Sequence, residues 1–120
     1  MTARMRRQLA IALAAALALA AVALPQAAAD PQAGASATKR VRVGDFFFKK
    51  RSITIQRGDR VRWVWIGRQP HDVTVTRGPR KFHSRTKRSG SYRKRLFTRG
   101  TYRYICTVHP IDMRGKVVVE

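Results

Sequence analysis

The sequence predicts a small all-β domain, a sandwich or barrel, and three observations carry that prediction. From Val41 onward, apolar and aromatic residues alternate with polar ones at the two-residue period of a half-buried strand. The alternating runs are short and separated by turn residues such as Arg57-Gly58-Asp59, Arg77-Gly78-Pro79 and Gly100. No part of the domain carries the 3.6-residue period of an amphipathic helix.

The segments follow in order. Arg4, Arg6 and Arg7 precede sixteen consecutive apolar residues, Leu9 to Leu24, and Ala27-Ala28-Ala29 stands before Asp30. A charged start, an apolar middle and small residues at the end make residues 1–29 a secretory signal peptide. The rival reading is an uncleaved anchor, but sixteen residues, many of them alanine, fall short of the roughly 20 that span a bilayer. Residues 30–38 are small and polar and read as a flexible tether. The domain occupies 39–120. In it, Val41 and Val43 alternate with Arg40 and Arg42, Phe46 to Phe48 form an aromatic cluster, and Ile53 and Ile55 alternate with Thr54 and Gln56. Val61, Trp63 and Trp65 share one face, as do His71, Val73 and Val75. Residues 81–90 are basic and irregular, a loop. Tyr92 to Thr98 is a weaker strand, because Leu96 and Phe97 cannot both face a core. Tyr102, Tyr104 and Cys106 share a face, and Lys116 to Val119 closes the domain. Seven or so strands result.

Charge and cysteine content narrow the function. Lys and Arg number 26 against 6 Asp and Glu, a net +20. Without the three arginines of the signal, 23 basic residues face six acidic ones, +17. Such a charge suggests disorder, but the regular alternation of aromatic and β-branched residues excludes it. The single cysteine forbids an intramolecular disulfide. Exported domains this small usually need one, and a bound metal is the alternative staple. The basic residues are densest at Lys49-Lys50-Arg51, Arg80-Lys81, Arg85 to Arg88 and Arg93-Lys94-Arg95. They suit an acidic partner: a redox protein with an acidic docking face, an anionic membrane or an acidic wall polymer. Export makes nucleic acid an unphysiological target.

The chemistry concentrates in Cys106-Thr107-Val108-His109-Pro110-Ile111-Asp112-Met113. A thiol, an imidazole and a thioether lie within eight residues at the end of a strand. Two His, one Cys and a weak axial Met make a blue-copper site, because soft sulfur ligands with imidazole select copper. His71, on the face of Val73 and Val75, is the candidate second histidine. Zinc, with Asp112 as a ligand, is the competing reading, disfavoured because a thioether suits zinc poorly. His83 reads as a solvated loop residue. No nucleophile motif and no glycine-rich phosphate loop occur, so the chain is not expected to be an enzyme.

These residues resemble the cupredoxins, in particular the plastocyanin, pseudoazurin and amicyanin group. The likeness runs from about Val41 to Glu120. It rests on Ile53 to Trp63 with its Gly58-Asp59 turn, on His71-Asp72-Val73, on Gly100 to Cys106, and on Met113 to Glu120. The resemblance implies a Greek-key β-sandwich, one copper ion cycling between Cu(I) and Cu(II), and one-electron transfer. By position it implies His71, Cys106, His109 and Met113 as the metal ligands. Three departures stand out. Three residues separate His109 from Met113, between the two of amicyanin-like and the four of plastocyanin-like loops, which leaves Asp112 as the rival axial group. Asp72 stands where the family usually has Asn. Phe48-Lys49-Lys50 lacks a common Pro. The expected function is an exported, monomeric blue copper protein shuttling single electrons between redox partners in the periplasm or at the cell surface. The alternative is a copper carrier or buffer without redox turnover.

Overall fold

A computed structural model describes residues 36–120; the expected signal segment and residues 30–35 of the expected tether lie outside the described residues. Alternation in sequence becomes two-sidedness in eight strands: β1 (Thr38–Gly44), β2 (Phe47–Lys49), β3 (Ser52–Ile55), β4 (Arg60–Trp65), β5 (Thr74–Arg77), β6 (Ser91–Arg95), β7 (Gly100–Ile105) and β8 (Arg114–Val119). They form two four-stranded sheets, ordered β2-β1-β4-β6 and β3-β8-β7-β5. The pairs β1–β4 and β3–β8 are parallel and the others antiparallel. Parallel neighbours far apart in sequence require the chain to cross between sheets, and the result is a Greek-key sandwich.

Register puts the apolar set on the inner faces. Val41 lies opposite Trp63 and Val43 opposite Trp65 across β1 and β4, all four buried. Tyr102 lies opposite Val117 across β7 and β8. Trp63 is the centre of the core. It meets Tyr104 edge-on at 5.6 Å between ring centroids, and Tyr92 and Phe82 at 5.7 and 6.2 Å. Such offset and edge contacts add to the area the rings bury. The weaker strand expected over Tyr92 to Thr98 is β6, which ends at Arg95; beyond it Leu96 is buried and Phe97 exposed.

Two elements differ from expectation. The basic stretch 81–90 has no regular strand, yet it buries Phe82 and Ser84. It docks on the start of β5 through Val75 N–H to Phe82 O and Ser84 N–H to Val73 O. The strand expected to open at His71 begins only at Thr74. His71 and Asp72 are both buried, which an extended, alternating chain with one wet face cannot achieve.

The turn between β3 and β4 shows how local chemistry sets the sandwich. Gly58 has φ +88°, the left-handed region open to glycine. Asp59 then turns inward and accepts the Gln56 amide at 2.9 Å and the Ala37 amide at 2.8 Å. This carboxylate pins the entry of β1 to that of β4.

At the ligand-bearing end, Gly115 on β8 stands opposite Tyr104 on β7. A Cβ there would clash with the Tyr104 ring. Burial pushes the Tyr104 phenol up to about 12, so it stays neutral and packs. Gly115→Ala should therefore lower stability by about 1–3 kcal/mol through overpacking. Urea unfolding of the metal-free protein measures this, and an unchanged midpoint would show that Tyr104 can move aside.

Candidate metal centre

The site sits where β4 and β7 end and β8 begins, among the loops that follow and precede them. Cys106 follows directly on β7 and keeps its inward phase; it is fully buried. The loop from Cys106 to Met113 is closed by its own backbone. The Cys106 amide donates to Met113 O at 3.0 Å, the His109 amide to Cys106 O at 3.2 Å, and the Met113 amide to His109 O at 3.0 Å. Three of the four expected ligands thus fix one another through main-chain bonds. Met113 is fully buried, whereas Asp112 is exposed.

His71 arrives from 35 residues upstream and is held on all sides. Its amide and carbonyl both pair with Lys87, at 3.0 Å each, and its carbonyl also accepts Trp65 Nε1 at 3.1 Å. Its Nδ1 lies 3.9 Å from Cys106 Sγ. The His71 and His109 rings stand 5.1 Å apart between centroids. Among the described residues no three His, Cys, Asp or Glu side chains form a ligand group by themselves. Two close pairs, His71 with Cys106 and His71 with His109, mark the candidate centre, and Met113 lies buried at the end of the same loop.

Two carboxylates organise these groups. Asp72 Oδ1 accepts the Thr107 amide at 2.6 Å, and its Oδ2 accepts the hydroxyls of Thr107 and Thr74, both at 2.8 Å. An ionised carboxylate is an acceptor only, and three donors meet it here. Asp45, in the turn between β1 and β2, accepts His71 Nε2 at 2.6 Å and the amides of Arg68 and Gln69 at 2.8 and 3.1 Å. The Arg68 amide above all, then His71, holds the Asp45 carboxyl at about 2. With Nε2 engaged by a carboxylate, Nδ1 is the His71 nitrogen turned toward the sulfur.

Donor chemistry and burial test whether a metal fits. His109 Nε2 is buried with no hydrogen-bond partner, an open donor position that costs stability unless filled. Burial pushes the Cys106 thiol up, against the pull of the Asp72, His109 and Val108 amides. Two imidazoles, a thiol and a thioether in a buried setting match copper by softness. Among the described residues, Asp112 approaches no ligand by a hydrogen bond.

Sequence reasoning missed three residues here. Asp45 and its bond to His71 span 26 positions, and no spacing announces them. Phe46 reads in sequence only as part of an aromatic cluster, but it is half exposed and packs edge-on against His109, with centroids 4.7 Å apart, and against His71 at 6.0 Å. Lys87 read as surface charge, but it bridges the His71 backbone and lays its ammonium over the Trp65 ring at 4.7 Å. The third histidine, His83, is exposed and stands apart, bridged to Thr74.

Known proteins agree with this architecture. The family of copper-binding proteins described as plastocyanin/azurin matches residues 35–120. Amicyanin-alpha of Methylorubrum extorquens is 37% identical over 93 residues, which cover 74% of this chain and 76% of that protein. The Cu(I) form of an amicyanin variant superposes with a TM-score of 0.63 at 30% identity, covering 72% of this chain and 85% of that one. A copper-containing nitrite reductase from Thermus scotoductus aligns with a TM-score of 0.60 at 25% identity, over 72% of this chain but only 22% of that protein.

The Asp45 contacts generate a pH prediction for the metal-free protein. The folded carboxyl sits at about 2 against 3.8 unfolded, so its stabilisation is complete above the unfolded value and is lost as pH falls through the folded one. Asp45→Asn should melt below wild type at pH 5, and the gap should close between about pH 4 and pH 2. Thermal melts across that range measure it; a gap constant in pH would show that the carboxylate charge contributes nothing.

Proposed function

The chain belongs to the plastocyanin/azurin family of copper-binding proteins, the cupredoxins, and from that premise we propose that it carries single electrons between redox partners outside the cytoplasm. Its cofactor is one copper ion, which supplies a one-electron Cu(II)/Cu(I) couple. We assign His71, Cys106 and His109 as the residues that would hold it strongly and Met113 as the one that would hold it weakly. The observation that carries this assignment is the 3.9 Å approach of His71 Nδ1 to Cys106 Sγ, two fully buried side chains 35 residues apart. Nothing in packing alone requires an imidazole and a thiol to be brought together in a dry interior. The burial of Met113 and the exposure of Asp112 support the thioether over the carboxylate.

The protein's part in the reaction is to hold still. His71 is fixed by its backbone, its carbonyl and its Nε2, and the other three ligands share a loop closed by main-chain bonds. A site so braced changes little between oxidation states, and small reorganisation favours fast exchange. His109 is the least covered of the two histidines, and Phe46, Val108 and Ile111 expose apolar surface around it; Ile111 is 80% exposed. This rim is the electron's exit and the partner's landing place. Four protein ligands on one ion leave no strong open position for a substrate, which favours a carrier over a catalyst. The signal-like residues 1–29 favour the periplasm or the cell surface.

Copper loading should give an intense visible charge-transfer band from the Cys106 thiolate, absent in Cys106→Ala. Met113→Leu should keep the band and raise the reduction potential, because losing a weak donor favours Cu(I), while Asp112→Ala should leave both nearly unchanged. Absorption spectra and potentiometry decide; a colourless, tight zinc complex, or a band that depends on Asp112, would overturn the assignment. At the rim, Ile111→Glu should slow electron self-exchange by about tenfold or more with the spectrum intact. Unaltered exchange, followed by line broadening of mixed oxidation states, would place the exit elsewhere.

A further inference from the structure

The outer face of the β2-β1-β4-β6 sheet carries a lattice of cations that the copper chemistry does not use. Register places Arg40, Arg62 and Arg93 side by side on β1, β4 and β6. One row above, Lys49 stands beside Arg42; one row below, Arg60 stands beside Arg95. These seven face outward, because their strand neighbours Val41, Val43, Val61 and Trp63 face the core. Adjacent strands lie about 4.8 Å apart, and like charges directly opposite destabilise a sheet. Three arginines in one cross-strand row are therefore a standing cost of the fold.

Among the described residues nothing neutralises them. Among the described residues no Lys or Arg forms an ion pair; the single acid–base contact is Asp45 with His71. Of the five acids in 36–120, Asp45, Asp59 and Asp72 are spent on backbone amides, hydroxyls and His71. A groove of about 240 Å³ lined by Arg40, Arg42, Lys49 and Lys50 opens along this face. Toward the copper end the same face changes character. Phe47 lies over Gly44 opposite it, and Ile66 follows on β4; both are exposed.

We propose that this sheet face docks the protein on a bilayer of anionic phospholipid. A specific protein interface keeps charge out of its centre, whereas the centre of this face is Arg62 between two other arginines. A flat array of long cationic side chains edged by an aromatic and an aliphatic residue matches a membrane surface, where headgroups take the charge and apolar side chains enter the interface. A nucleic acid would use the cations but leave Phe47 and Ile66 in water. The ligand loop springs from the other sheet and lies at the strand ends, so a protein resting on this face keeps its His109 rim open to a partner moving along the same membrane. The proposal does not depend on the copper ligands.

The test is partition of the copper-loaded full chain onto vesicles of phosphatidylglycerol with phosphatidylcholine, against phosphatidylcholine alone. The variants are Arg40→Gln/Arg62→Gln/Arg93→Gln and, as a charge-matched control, Arg77→Gln/Arg103→Gln/Lys116→Gln, a cationic row on the outer face of the other sheet. Each basic residue at an anionic surface multiplies partition roughly fivefold, so the first triple should lose about a hundredfold and the control far less. The first triple should also keep its visible band and melt no lower than wild type, since it relieves like-charge contacts. Equal losses in the two triples would mean that net charge alone acts. Equal binding to uncharged vesicles would assign the contact to the apolar residues 9–24. Tighter binding to duplex DNA than to anionic vesicles at the same salt would replace lipid as the ligand. Each of these three results overturns the proposal.

Discussion

The proposed metal centre depends on one carboxylate bridge, Asp72 to Thr107. Asp72 adjoins His71 and Thr107 adjoins Cys106, so joining the middle pair makes neighbours of the outer two. The bridge is charge-assisted at both the amide and the hydroxyl, and such bonds are worth about 1.5–3 kcal/mol when protected from water. Asn at position 72 could accept through one oxygen only, while its amide would need an acceptor of its own. With Asp, both oxygens accept, and Thr74 supplies a third donor that ties the bridge to the start of β5. Asp72, where the resemblance implies Asn, thus joins the two ligand-bearing segments by accepting at both its oxygens.

The same economy explains the charge of the domain. Asp45, Asp59 and Asp72 each hold a chain reversal or a ligand, so few carboxylates are left for the surface. Twenty-three cations then repel one another on a small body, which works against the compact state. The core opposes this with Trp63 and its ring of aromatic neighbours, and the proposed ligand set offers copper a place that exists only in the folded chain. Binding of that kind stabilises the native state by mass action, and it does so without the disulfide that a single cysteine cannot provide.

Much of this was legible in the sequence because two of its signals are local. Alternation at Val61, Trp63 and Trp65, or at Tyr102, Tyr104 and Cys106, reports which way successive side chains point. The Leu96-Phe97 pair marks a weak strand, expected to run to Thr98, although β6 ends at Arg95. The spacing of Cys106, His109 and Met113 reports a loop. Less legible were features made by contact between distant segments. Asp45 reaches His71 through a turn whose shape no periodicity encodes. Phe82 was hidden in a run of basic residues, although it enters the core beside Trp63. His71 looked like the first residue of a strand because its neighbours at two and four positions are apolar. Its actual partner is Lys87, from a segment whose composition reads as solvent-facing.

Those distant contacts also decide how ready the site is. If His71 were simply the first residue of β5, its ring could follow the fraying of a strand end. Instead Lys87 pairs with both sides of its peptide, Trp65 holds its carbonyl, and Asp45 holds its ring. The cation over Trp65 fixes Lys87 in turn, so the support of the ligand is itself packed. The loop on the opposite side needs no such help, since three bonds among its own residues close it. The centre therefore joins one rigid part made locally and one made by long-range contact, and Asp72 is the point at which they meet. A carrier built this way can present His109 at its surface while the other proposed ligands stay buried, because the rigidity of the site does not depend on the covering of that one edge.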